Sequence, residues 1–127
     1  MTSVTLIYAG VLGLLAVLLV NYVLYVRLRA STLPVWQPKA AERVQANFVE
    51  NVPIALILLY LVEVNGAPGM FVHLSGGALV LFRLLHAFGL ARFEGANYPR
   101  LIGAQGTFLV MAVLGCMALL LAFDIVG

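Results

Sequence analysis

Nearly all of this chain is apolar sequence in stretches long enough to cross a bilayer, which leaves few folds open to it. A membrane helix needs roughly 20 mostly apolar residues, and there is room for about four such spans and little else. Of its 127 residues, 64% are hydrophobic and 9% charged, against about 25% charged in soluble domains. The mean hydropathy is +1.10. The expected fold class is therefore an all-α integral membrane protein, an antiparallel bundle of four transmembrane helices. We expect one membrane domain over residues 1–127 and no extramembrane domain. A net charge of +2 argues against a nucleic-acid partner, and the single Cys116 has no intrachain disulfide partner. No basic segment precedes the first apolar stretch, which exceeds a signal peptide's core, so it reads as a retained helix.

The expected spans cover about 4–26, 42–63, 70–91 and 101–126. Asn21 is the strongly polar residue inside the first. Ser31, Thr32, Pro34 and Pro38 read as breakers in the loop after it. The second span constrains the reading most. Phe48 to Val62 is too short to cross a bilayer alone. The span reaches full length only if it begins near Glu42, inside the polar run Arg43–Pro53. Pro53 then lies in a helix interior, where it removes the bond to the Val49 carbonyl and predicts a kink. Asn65–Gly69 reads as a tight turn and Glu94–Pro99 as the third loop. Glu63 and Asp124 read as caps on the outer ends of their own spans, and His73 as interfacial.

Basic residues flank the first loop (Arg27, Arg29, Lys39, Arg43) and the third (Arg92, Arg100). By the positive-inside rule, loops one and three face the cytoplasm and both termini lie outside. Glycines spaced four apart are lacking, but Ser75–Ala78 and Gly103, Ala104 and Gly106 permit close helix contact.

Ionisable residues within a span are costly and point to function. Arg43, Asn47 and Glu50 are spaced i, i+4, i+7 and share one helix face, with Gln45 and Asn51 pointing elsewhere. Arg83 and His86 are i, i+3 and share a face of the third span. At about 1.5 Å per residue, Glu50 lies about 12 Å beyond Glu42 and Arg83 about 13 Å before Arg92. Equal depth predicts a Glu50–Arg83 ion pair inside the bundle. Such a pair also occurs as structural glue between helices. The full set exceeds what helix association needs, since interhelical hydrogen bonds add only about 1 kcal/mol each. It predicts a polar pocket open to the cytoplasm. With no second histidine or acid at ligand spacing beside His86, no metal site is expected.

At these residues the chain resembles the MAPEG family, membrane-associated proteins in eicosanoid and glutathione metabolism. The resemblance covers nearly the whole chain in length, span count and polar placement. It is most specific at R-x-Q-x-N-x-x-E-x-x-P, met by Arg43, Gln45, Asn47, Glu50 and Pro53. It continues in Arg83 followed by His86, and in Arg100 after Pro99. The Arg83-to-Arg100 spacing and Val26–Arg29 are similar to the microsomal glutathione transferase and prostaglandin E synthase branch. The resemblance implies a homotrimer with glutathione as co-substrate, bound between neighbouring subunits. It carries over Arg43, Asn47, Glu50 and His86 as glutathione contacts. Gln45 and one of Arg27 or Arg29 would reach the neighbour's glutathione. Arg100 carries over as the catalytic residue, contacting glutathione and stabilising its thiolate. The chain departs from the pattern at Leu90, where many relatives carry a tyrosine; Tyr98 either compensates or belongs to the interfacial belt.

The expected function is a glutathione-dependent membrane transferase, or also a peroxidase, acting on lipophilic electrophiles or lipid hydroperoxides. The setting expected is a bacterial inner membrane. Two alternatives stand beside it: a non-catalytic lipid-binding or scaffold member of the same fold, and a small bundle whose polar network is only structural.

Overall fold

The computed structural model describes residues 3–92, 94 and 97–126, with the backbone alone at 90 and 91. The chain runs through helix α1 (Val4–Leu28), a 3-10 turn (Ala30–Thr32), α2 (Gln37–Val64), α3 (Gly69–Arg92) and α4 (Tyr98–Ala122). Four helices among the described residues are long and apolar enough to cross a membrane. At 1.5 Å per residue they measure about 36–42 Å, more than the ~30 Å of a hydrocarbon core. Each satisfies its own backbone, as a lipid environment requires.

Two prolines expected in loops instead lie at helix starts. Pro38 lies in the first turn of α2 and Pro99 in the first turn of α4. The first N–H groups of a helix have no intrahelical acceptor, so a missing donor costs nothing there. α2 thereby starts about a turn before the expected boundary, and it runs as one helix through Pro53. α4 begins earlier as well, because the Asn97 side chain caps it by accepting from the Arg100 N–H at 2.9 Å. It ends sooner than expected. Asp124 takes a left-handed φ of 54°, and the Ile125 N–H returns to the Leu120 carbonyl at 2.9 Å. α2 closes in the same way through Gly66 at φ 99°, with Ala67 N–H on the Val62 carbonyl at 2.9 Å.

Glu63 does not cap its own helix. Its carboxylate accepts from the Ser3 hydroxyl and from the Val4 and Thr5 N–H groups, closing the start of α1. An anion at a helix N-terminus satisfies donors that would otherwise be orphaned and complements the dipole. Glu63→Gln is expected to lower the thermal midpoint by a few degrees, for a loss of about 1 kcal/mol. Hydrogen exchange in detergent should quicken first at the start of α1.

α2 and α3 each pack against the other three helices, while α1 and α4 lie across from each other. The apolar core runs along this seam through Leu12, Val44, Phe48, Leu59, Leu79 and Leu114. Lipid supplies little hydrophobic drive between helices, so association depends on close packing at small residues. Gly76 sits under the Tyr8 ring, and Gly106 sits against the Phe82 ring. At Gly103 the contact is backbone on backbone: a Cβ there would lie 2.5 Å from the His86 nitrogen and 2.5 Å from the Phe82 carbonyl oxygen. That contact sets the register of α3 on α4 and so brings His86 beside the first turn of α4.

Candidate functional site

One face of α2 carries the sequence's least expected residues outward. Arg43, Ala46, Glu50 and Pro53 are exposed, and the stripe continues through Ile57, Tyr60 and Val64. Glu50 lies about 20 Å from the start of α2, close to its midpoint. A carboxylate and a guanidinium at such positions are not stable against lipid. The part of the stripe from Arg43 to Glu50 is therefore unsuited to acyl chains, whereas Ile57, Tyr60 and Val64 suit them.

Five polar residues from three helices meet beside this face. Arg43, Asn47 and Glu50 of α2, His86 of α3 and Arg100 of α4 line one cavity of about 160 Å³, with Ala46 in its wall. The i, i+4, i+7 spacing supplies the α2 side. The Gly103 contact supplies His86, and the Asn97 cap places Arg100 in the first turn of α4. Asn97 also donates through Nδ2 to the Gly89 carbonyl at 2.9 Å, tying the end of α3 to the start of α4. The cavity wall offers two guanidiniums, a carboxylate, an amide and an imidazole. Its His86 Nδ1 is buried and has no hydrogen-bond partner among the described residues.

The expected Glu50–Arg83 ion pair is not formed. Arg83 is only 2% exposed and turns inward, where Nη1 donates to Asn47 Oδ1 at 2.8 Å and to Thr107 Oγ1 at 3.4 Å. Its guanidinium lies 5.7 Å from the Phe48 ring centroid. Glu50 sits on the outward face of α2, and pairing would require drawing its carboxylate into the core. The Asn47 contact sets Arg83 against this part of α2, but Arg83 is buried and Glu50 is exposed. Among the described residues the ion pair is Arg27–Glu42 at 2.8 Å, an exposed bridge from the end of α1 to the start of α2. Such a bridge contributes at most about 1 kcal/mol.

Other candidates lie away from the cavity. Arg29 donates to Thr32 Oγ1 at 3.4 Å and lies 5.8 Å from the Tyr25 ring centroid. Gln45 is half-buried elsewhere on α2. Asn51 donates to the Asn47 carbonyl at 2.8 Å, and Asn21 to the Val17 carbonyl at 2.9 Å, so both are satisfied within their own helices. His73 meets the Tyr8 hydroxyl at 2.9 Å near the start of α3. The Leu90 side chain lies outside the described residues. No group of three or more His, Cys, Asp or Glu suited to a metal occurs among the described residues.

Two residues were missed in the sequence. Ala46 falls between Arg43 and Glu50 on the same face, and the helical period alone points to it. Thr107 is the threonine of α4, two turns after Arg100, and that spacing was its signal.

Comparison with known proteins agrees with this architecture. A family model described as the MAPEG family matches residues 5–120. Inner membrane protein YecN of Escherichia coli strain K12 is 41% identical over 51 residues, covering 40% of this chain and 39% of that protein. YecN of Escherichia coli O6:H1 strain CFT073 matches over the same length with the same identity. The matched segment thus spans about two fifths of these curated relatives. No solved structure matches. Four apolar helices, together with a relative named as an inner membrane protein, mark a multi-pass membrane protein.

Proposed function

We propose, since this chain belongs to the MAPEG family, that it is a glutathione-dependent membrane transferase, also able to reduce lipid hydroperoxides. The observation that carries this reading is the convergence of Arg43, Asn47, Glu50, His86 and Arg100 on one cavity. Glutathione has two carboxylates, an ammonium, two amides and a thiol. Arginines suit its carboxylates through charge-assisted bonds. Glu50 suits the ammonium, and Asn47 suits a peptide group. Arg100, beside the positive end of α4, lowers the thiol pKa from its usual value of about 8.5. The thiolate then attacks an electrophilic carbon: a C–S bond forms, the bond to the leaving group breaks and releases it as an anion, and the thiol proton passes to solvent. With a hydroperoxide the thiolate attacks the outer oxygen, and the O–O bond breaks to release the alcohol. A second glutathione converts the resulting sulfenic acid to glutathione disulfide and water. The Arg83-to-Arg100 spacing and Val26–Arg29 support placement in the microsomal glutathione transferase and prostaglandin E synthase branch.

The cavity of about 160 Å³ is smaller than ligand sites usually are, ~300–1,000 Å³. The exposed charged stripe on α2 borders it. Both features support a homotrimer in which a neighbouring copy covers that face and completes the site. Gln45 and one of Arg27 or Arg29, which stand away from the cavity in their own subunit, then serve the neighbour's glutathione. The basic residues other than Arg83 gather at the end where α1 meets α2 and α3 meets α4. That supports cytoplasmic first and third loops and external termini, and the relative named as an inner membrane protein supports a bacterial inner membrane. A reporter fused to the C-terminus should prove external.

Calorimetric titration of the detergent-solubilised protein with glutathione should give saturable binding. Turnover of a lipophilic aryl halide should follow, with halide released. Absence of binding heat would overturn the proposal. Binding without turnover or a thiolate signal would favour a non-catalytic binding protein of the same fold.

A further inference from the structure

Arg83 is a buried cation with no carboxylate in contact among the described residues. Its bonds nevertheless have fixed direction. A guanidinium has five N–H donors and no acceptor, so it meets Asn47 only through the amide oxygen. The Thr107 hydroxyl donates its own proton to the Gly103 carbonyl at 2.8 Å. Its oxygen is thereby left to accept from Arg83 at 3.4 Å, on the same Nη1 that holds Asn47. Arg83 is thus braced by α4 on one side and grips the Asn47 amide on the other. The Asn47 Nδ2 group has no partner among the described residues, and Asn47 lines the cavity.

From this geometry we infer that Arg83 is a positioning residue. It holds the Asn47 amide with oxygen inward and nitrogen toward the cavity. The wall at Asn47 is then a donor, never an acceptor, and selects a carbonyl or carboxylate of the ligand. Glu50 remains the cavity's carboxylate and is left to a cationic group, because Arg83 does not consume it. The two positions read opposite polarities about one helical turn apart. A ligand must present an acceptor and an ammonium at matching separation. This deepens the glutathione reading and rests on it for the identity of the ligand, whereas the Arg83–Asn47 lock is a property of the fold alone.

The test separates the two. Asn47→Asp places a carboxylate against Arg83 and turns an acceptor toward the cavity. The full-length variant in detergent should unfold at a higher temperature than wild type without ligand, because a buried guanidinium gains its counter-charge. Its glutathione affinity should fall at least tenfold, since a carboxylate now faces a ligand acceptor. Arg83→Gln keeps a donor toward Asn47 without the charge, and Arg83→Leu keeps neither. Affinity should be at least fivefold weaker in Arg83→Leu than in Arg83→Gln. An Asn47→Asp midpoint equal to or below wild type, unchanged glutathione affinity in that variant, or equal affinities in the two Arg83 variants would each overturn the inference. If wild type binds no glutathione while Asn47→Asp is still stabilised, the lock stands and the glutathione reading fails.

Discussion

Arg100→Ala is expected to reduce turnover with glutathione by about 10²-fold, a loss of about 2.7 kcal/mol of transition-state stabilisation. The expectation follows from where charge develops. The thiol must lose its proton and become a thiolate before it attacks, and Arg100, the cavity's guanidinium on the first turn of α4, stabilises that charge at neutral pH. Arg43 also lines the cavity, one turn before Asn47 on α2, and suits a ligand carboxylate. Arg100→Ala should therefore weaken glutathione binding far less than it slows chemistry. The ultraviolet absorbance of bound thiolate reports this directly: wild type should show it at neutral pH and the variant only at higher pH. Arg100→Lys should recover part of the rate, since an ammonium keeps the charge but loses the planar fork. Undiminished turnover in Arg100→Ala would remove Arg100 from its assigned role while leaving the cavity's binding role intact.

The second large effect is expected at Gly103. A valine there drives Cβ into backbone atoms of Phe82 and His86, which no rotamer change relieves. α3 and α4 must separate, at a cost of about 3 kcal/mol, and that separation carries His86 away from the cavity. Gly103→Val should therefore lower the thermal midpoint and abolish glutathione binding together. Gly115→Ala on the same helix is the control, because nothing lies within 4 Å of a Cβ added there. It should leave binding unchanged and stability equal or slightly raised, since alanine favours a helix interior over glycine. A well-folded Gly103→Val that still binds would mean that the α3–α4 contact does not set the site.

These two residues show different kinds of legibility. Arg100 announced itself as a charge at the edge of an apolar stretch, beside a proline. Gly103 was visible only as one small residue among several, because close packing depends on what lies opposite. Pro38 and Pro99 show a limit of local rules: a proline ends one element or begins the next according to which turn it occupies. Glu63 shows another. Its position at the end of α2 was read correctly, but the N-terminus it caps belongs to a helix that only the bundle brings alongside.

Hydropathy placed four spans, because lipid leaves an apolar stretch of that length few conformations besides a helix. The helical period put Arg43, Asn47 and Glu50 on one face, because 3.6 residues per turn is a property of the backbone. Residue counting gave Glu50 and Arg83 a common depth, since rise per residue is constant. Tertiary packing chose the rotation of each helix about its axis. Steric fit at Gly103, Gly106 and Gly76 sets that rotation, and no repeat along one chain encodes it. It turned Arg83 inward to Asn47 and Thr107 and left Glu50 outward at the cavity, so the expected ion pair became a buried brace and an unoccupied acceptor.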